Sequence, residues 1–584
     1  MIKILATREG LIQVALGRVF PELIIKNINL VNVYSGEILK GYEVAVWQGR
    51  IAYVGPEAKI GPLTEVVDGR EMYLLPGLID VHGHADFISN PLALAKKILP
   101  TGTTGILTDT HDICGALGPK GLKLMLDATA DIPFRYYFAA PAVFPPLPEF
   151  EGEDIFTKEV VASLLANPRV LAVSEVTAWN RLMEPEREFV AKLVYAQEQG
   201  KRIEGHMAGC SYEKLNALIS CGFTSCHESI TAAEALDRLR LGLYTILRHG
   251  SIRADLEPLS EMITKNPHLD TNRVMLSPDW YSPQDVLKYG YLNHLISEAV
   301  KLGIPSIKAI QMVTINPATY LGLDNHIGGI APGRLADMLL VKELENPLPE
   351  TVWVGGKVVA QKGVLKTEIS KFPEVRLQDW RDERIPRTPV QPEDFAIKSA
   401  EVMVEIPCIK MVNKTITKPV NLIIPVKNGQ IDIQGSPDLL KISLWSAVRD
   451  SWVTGLLTGF GAEVGGIASS IAHETHSPMT VGNNERDMAL AANRMLELGG
   501  GIVIFEAGQL VGELPMKNGG ILSSADLEEI AQGMTELNTF LQEKGCPWDD
   551  PIFGMCFLAF TGLPYVRITP RGIIDIRQKK VIFP

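Results

Sequence analysis

The sequence predicts an α/β fold: a TIM-type (β/α)8 barrel, a flanking β-sandwich assembled from both sides of the barrel, and a C-terminal α+β domain. Three observations lead there. Between residues 76 and 327, eight short apolar runs alternate with helical stretches, the pattern of a parallel barrel of about 250 residues. On either side, residues 1–75 and 328–370 carry alternating apolar residues broken by Asp-Gly and Gln-Gly pairs, the texture of short strands and turns. After a charged, Pro-rich linker at 371–392, residues 393–584 mix β-like and helical segments.

In chain order, the first flank reads as strands in ELIIKNINLVNVYSGEI, YEVAVWQGRIAYVG and EVVDGREMYLLPG. The barrel strands follow: LLPGLIDVHGH, TTGILTDTHD, FRYYFAAP, VLAVSEV, KRIEGHM, FTSCHES, LYTILRHG and RVMLSPD. Between them PLALAKKILPTG, EREFVAKLVYAQEQG and SYEKLNALISCG read as helices ending at Gly. The second flank is GGIAPGRLADMLLV with PETVWVGGKVVAQKGVL. The last domain alternates segments such as PVNLIIPVKNGQIDI with helical ones such as ERDMALAANRMLELG.

Bulk properties narrow the function classes. At 584 residues the chain is too long for one core. A net charge of −12 excludes a basic stripe able to displace counterions, so no nucleic-acid partner is expected. The opening MIKILATREGLIQVALGRVF lacks a signal peptide's compact apolar core. No apolar run reaches the ~18 residues that span a bilayer, so no membrane partner is expected. Seven cysteines without disulfide-like spacing suit a reducing compartment, the cytoplasm. A homo-oligomer is compatible with all of this.

The polar residues fall at the strand ends. In LLPGLIDVHGHADF, His82 and His84 stand two apart and aim both imidazoles at one spot in a strand. Six further strands finish on Asp109/His111, Glu175, His206, His227, His249 and Asp279, and barrel enzymes assemble their sites from such C-terminal ends. Imidazoles and carboxylates converging in this way are the usual set for Zn²⁺, Mn²⁺ or Fe²⁺. His82, His84, His206, His227 and Asp279 give five ligands, and Glu175 can offer one oxygen to each of two cations. Two divalent transition-metal ions, Mn²⁺ first and Fe²⁺ or Zn²⁺ after it, supply hydroxide at neutral pH. Asp279 then takes the hydroxide's proton and hands it on, a general acid/base role.

The motifs PGLIDVHGHAD, ILPTGTTGILTDTHDICGALG and EGHMAGCSYEKLNALISCGFTSCHES resemble the adenine deaminases of the amidohydrolase superfamily. So do TINPATYLGLDNHIGGIAPGRLADMLLV and, in the last domain, GGIASSIAHETHSPMTVGNNERDMALAANRMLELGGGIVIF. The resemblance implies a two-metal site bridged by Glu175 and water attack at C6 of adenine, giving hypoxanthine and ammonia. Departures gather where a substrate is expected. Asp86 stands for the family's Glu and is taken as a second catalytic residue with a shortened reach to a ring nitrogen. Asp112 again shortens a carboxylate, Trp280, Tyr281 and Ser282 follow Asp279, and His249 replaces an expected Glu. His111, Asp112, Arg248 and Trp280 are the substrate-binding candidates. Another nucleobase or cyclic amide or amidine is the alternative substrate, and a non-catalytic homologue the alternative class. His473 and His476, three apart in AHETH, are expected on one helix face. That spacing misses the H-E-x-x-H zinc motif; local hydrogen bonding is one reading, and the resemblance implies instead that the segment closes over the barrel mouth.

Overall fold

The computed structural model describes residues 2–374, 385–386, 388–436 and 438–584. Of the expected linker, residues 375–384 and 387 lie outside the described residues. All eight expected barrel strands form: Leu78–Gly83, Thr103–Thr108, Arg135–Ala140, Val170–Val176, Arg202–Gly205, Ser225–Cys226, Tyr244–Arg248 and Val274–Ser277. They hydrogen-bond in two parallel arcs, one of five strands and one of three. The Thr224 N–H donates to Ile203 O at 3.0 Å across the seam between the fifth and sixth strands. A parallel bridge between Gly83 and Asp279 joins the eighth strand to the first. The result is a TIM-like curl of eight strands. Its interior packs Val81, Leu107, Ala139, Ala172, Ile246 and Met275 around Tyr320.

Helices between the strands obey their end signals. Pro91–Ile98 is capped by Asn90, whose side chain accepts the Ala93 N–H, and Tyr212–Ser220 is capped by Ser211 in the same way. The helix Tyr212–Ser220 is followed by Gly222 at φ +102, backbone that a Cβ would strain.

The two flanks join one nine-stranded sheet. Tyr73–Pro76 from the first pairs antiparallel with Met338–Val341 from the second, setting Leu74 opposite Leu340. The Ile51 N–H donates to Arg334 O, so the sheet folds over a core of Ile25, Leu30, Val46, Met338 and Trp353. One expectation fails here. The chain opens not in strands but in a helix, Ile2–Ala15, whose Leu11 and Val14 pack on Ala52. The segment has no turn pair, and the good helix formers Leu, Ala, Lys, Arg, Glu and Gln fill eight of its 14 positions.

The last part of the chain holds a second nine-stranded sheet, with the helix Glu485–Leu498 against it. It docks on the barrel beside the first strand. Leu522–Ser523 pairs parallel with Ile88–Ser89, and the Ile88 N–H donates to Ile521 O at 2.9 Å. Asn90 Nδ2 donates to Ser523 O at 2.8 Å. Ile88 sits at φ +63, an uncommon conformation for a β-branched residue, two positions past Asp86. Among the described residues no helix is long and apolar enough to cross a membrane.

Candidate metal centre

Side chains from the ends of the first, fourth, fifth, sixth and eighth strands come together. Glu175, at the end of the fourth strand, is the hub. Its Oε2 lies 2.7 Å from His206 Nδ1 and 3.1 Å from His227 Nε2, and its Oε1 lies 3.8 Å from His84 Nε2. Asp279 Oδ1 stands 3.3 Å from His82 Nε2 and 3.2 Å from His84 Nε2. Two tight donor sets therefore share His82: His82, Glu175 and His227, and His82, His84 and Asp279. Asp279 adopts φ +65 and donates its N–H to Ser277 Oγ at 3.0 Å; this bend at the strand end is local strain placed at the site.

Buried partners orient these groups. His82 Nδ1 is 3.0 Å from Glu204 Oε2, and Glu204 Oε1 accepts from Tyr320 Oη at 2.5 Å. Asp109 accepts the His111 N–H through one oxygen and the Glu175 N–H through the other, both at 2.8 Å. Arg248 Nη1 is shared between Glu228 Oε1 at 2.5 Å and Asp279 Oδ2 at 2.6 Å, and Arg253 Nη1 reaches Glu228 Oε2 at 3.0 Å.

The charges follow from this packing. Burial would raise Glu175, but His206 and His227 outweigh it and hold the carboxyl well below its usual range. Burial is likewise overcome at Asp279 by Arg248, then by His82 and His84. His227 is pushed down, by burial first and then by neighbouring His82.

The donor set suits a divalent cation. His82 Nε2, His206 Nε2 and His227 Nε2 are buried and make no hydrogen bond, although carboxylates stand close by. Buried imidazole nitrogens are ordinarily satisfied, and a cation satisfies them together with the carboxylates.

Above this floor is a pocket enclosing about 580 Å³ of space, open solvent included. His84, Glu175, His206, Glu228, Arg248 and Asp279 line its polar side. Its apolar side joins both halves of the chain: Phe87 and Trp280 from the barrel, Phe553, Phe557 and Phe560 from the C-terminal domain. Trp280 and Phe553 stack with centroids 4.5 Å apart and planes 9° apart. The pair forms a flat aromatic wall against which a planar ring can pack.

Four sequence expectations change here. Asp86 does not line the cavity; its Oδ2 accepts the Ile113 N–H at 3.1 Å and its Oδ1 faces His84 Nδ1 at 3.7 Å, which places it behind a metal-site imidazole. His249 turns outward against the His294 ring, because it follows Arg248 in the strand and strand residues alternate faces. Arg248 lines the cavity, yet its Nη1 is taken by Glu228 and Asp279, so it holds acids rather than reaching for a ligand. His473 and His476 share no helix face; they lie in a turn. Trp280 and Asp112 line the cavity as expected, whereas His111 lines a neighbouring cavity of about 310 Å³ that also touches Glu175. Tyr281 packs on Tyr291, and Ser282 caps the helix Pro283–Tyr289. Glu204 and Glu228 are not among the sequence candidates, and Asp109 appears there only as a strand end.

Residues 73–359 match the amidohydrolase family, and with its relatives this makes the chain a hydrolase acting on C–N bonds. Residues 414–580 match the adenine deaminase C-terminal domain. An adenine deaminase of Moorella thermoacetica is 34% identical over 586 residues, covering 99% of this chain and 97% of that one. One of Cenarchaeum symbiosum is 33% identical over 574 residues, covering 97% and 93%. The chain belongs to the adenine deaminase family. Among solved structures, a β-aspartyl dipeptidase of Fervidobacterium islandicum AW-1 is similar at 19% identity, covering 59% of this chain and 98% of that one, with a TM-score of 0.47.

Proposed function

We infer that the protein hydrolyses adenine to hypoxanthine and ammonia with the help of two divalent transition-metal ions, Mn²⁺ first and Fe²⁺ or Zn²⁺ as substitutes. The observation that carries this reading is the pair of donor sets sharing His82, on a chain alike over nearly its whole length to adenine deaminases. His82, His84, Glu175, His206, His227 and Asp279 are the proposed ligands, with Glu175 between the two ions. Ions held there would supply a polarised water with a pKa lowered toward neutrality. Asp279 accepts the proton of the attacking water and delivers it to the departing amine; Arg248 holds Asp279 by its other oxygen while it does so. The aromatic wall of Trp280 and Phe553 gives the purine ring a face to lie against, and Asp112 offers it a carboxylate oxygen. Asp86 acts through His84 as a positioning residue. The seven cysteines, none disulfide-bonded among the described residues, suit the cytoplasm as its compartment.

The test loads the purified chain with Mn²⁺, Fe²⁺ or Zn²⁺ and measures ammonia release from a panel of nucleobases, with metal content read by elemental analysis. The expected result is about two ions per chain and adenine as the best substrate, with metal lost in His82→Ala. A chain that takes up no metal under any loading, or one that releases ammonia from another base and not from adenine, contradicts the reading.

A further inference from the structure

Asp112 lies in the first turn of the helix His111–Leu117, is fully buried and lines the main cavity. One short segment of the C-terminal domain reaches across to it. His476 Nε2 stands 2.8 Å from Asp112 Oδ1, the Glu474 N–H donates to the same oxygen at 3.1 Å, and His473 Nδ1 lies 3.2 Å from it. The other oxygen, Oδ2, is buried and makes no hydrogen bond, with His111 Nε2 3.4 Å away.

The segment is shaped for this reach. Glu474 and His476 both adopt left-handed backbone, at φ +66 and +46. The His473 N–H is fixed on Cys556 O at 3.0 Å and the His476 N–H on Ala472 O at 2.7 Å. On the barrel side, Gly115 lets the turn come close: a Cβ there would lie 2.4 Å from Glu474 O. Strained non-glycine backbone at two positions, held by a close backbone approach, is a feature that packing alone does not call for.

A carboxylate anchored through one oxygen keeps acceptor capacity on the other, where His111 stands near without a hydrogen bond, and an ionised carboxylate only accepts hydrogen bonds. Asp112 Oδ2 therefore meets an N–H of whatever occupies the cavity. We propose that the His473–His476 turn is a positioning clasp by which the C-terminal domain aims Asp112 at an N–H of the purine, setting substrate affinity without touching the metal ligands. The clasp rests on the adenine reading above. It gives the C-terminal domain a share in recognition, through a residue of the barrel.

The experiment compares wild type with His476→Leu, His476→Gln and Asp112→Asn, measuring kcat and KM for adenine at determined metal content. Leu removes the donor while filling the space; Gln returns an N–H donor. Hydrogen bonds to charged groups are the strong ones, so His476→Leu is expected to lose about 10- to 100-fold in kcat/KM, mostly through KM. Gln recovers most of that loss, metal content stays at the wild-type value, and Asp112→Asn, which offers a weaker acceptor, shows the same rise in KM. A Leu variant with wild-type KM, or a Gln variant no better than Leu, overturns the clasp. Should His476→Leu fail to fold, Gln and Asp112→Asn decide the matter by the same KM readout. A wild type inactive on adenine refutes the substrate reading instead. The clasp is then decided by crystal structures of wild type and His476→Gln: an Asp112 carboxylate kept in place by Gln and His alike supports it, and a carboxylate indifferent to Asp112's partners, unmoved in His476→Leu or in His476→Ala, overturns it.

Discussion

Replacing Arg248 by Met removes the cation between two buried acids. The Arg248 guanidinium is 3% exposed, and its Nη1 sits 2.5 Å from Glu228 and 2.6 Å from Asp279. At an effective dielectric of 20, each contact carries about 6 kcal/mol of gross attraction. Desolvation of the three groups offsets much of that. The net cost of removing one member of a buried ion pair is about 3–5 kcal/mol, because the remaining charges stay buried without a partner. Glu228 keeps Arg253, and Asp279 keeps the two imidazoles at its other oxygen, which places the estimate at the lower end. A loss of about 3 kcal/mol corresponds to a fall in Tm of roughly 6–12 °C. Asp279 also loses the contact that fixes its carboxylate, and misplacement of a reacting group by about 1 Å costs on the order of 10²-fold in rate. The assay is thermal unfolding together with kcat on adenine, both at matched metal content. An Arg248→Met variant with unchanged Tm and unchanged kcat would refute the claim that this guanidinium holds the two acids.

Three further outcomes follow from the same geometry. Asp279→Asn should lower kcat by about 10²-fold or more, with metal content measured alongside because Asp279 is also a proposed ligand; a fully active variant removes it from the proton transfer. Asp86→Glu adds a methylene at a position with no exposure, so overpacking should cost about 1–3 kcal/mol, and kcat/KM for adenine should not rise; a gain in adenine turnover would return Asp86 to the substrate. Glu151 is half-buried with its carboxyl inside, one oxygen accepting the Leu147 N–H and the Thr561 hydroxyl, and burial pushes that carboxyl up to about 8. A folded-state value above the unfolded one gives stability that is fully present below the unfolded pKa of about 4.3 and is lost as pH rises through about 8. Tm should therefore fall between pH 5 and 8 in wild type and fall less in Glu151→Gln; parallel profiles for the two would contradict the assignment.

The barrel was legible because its strands are short apolar runs that end in chemistry-bearing residues. The two-residue step from His82 to His84 already told that both point one way. The same step runs from Glu204 to His206, and applying it there would have found the carboxylate that orients His82. Strand parity also separates Arg248 from His249: adjacent residues face opposite sides, so only one can enter the barrel mouth. Glu228 was harder. It directly follows His227, beyond a strand of only two residues, where alternation no longer applies and the loop sets the direction. Asp86 looked like a substrate contact because it follows the histidine pair in sequence. Its carboxylate is instead drawn to the Ile113 amide at the start of the next helix, a partner that periodicity cannot reveal. The roles of His473 and His476 depend on a contact with Asp112 across more than 360 positions, set by the docking of one domain on the other.

The most direct test of the central claim is the conversion of adenine by the metal-loaded chain in ¹⁸O-enriched water, followed by mass spectrometry of the purine product and assay of ammonia. Hydrolysis at this centre predicts one ammonia per adenine consumed, hypoxanthine carrying a single solvent-derived oxygen, and loss of both products in His82→Ala. Intact adenine after loading with each of Mn²⁺, Fe²⁺ and Zn²⁺, or conversion that persists undiminished in His82→Ala, would contradict it.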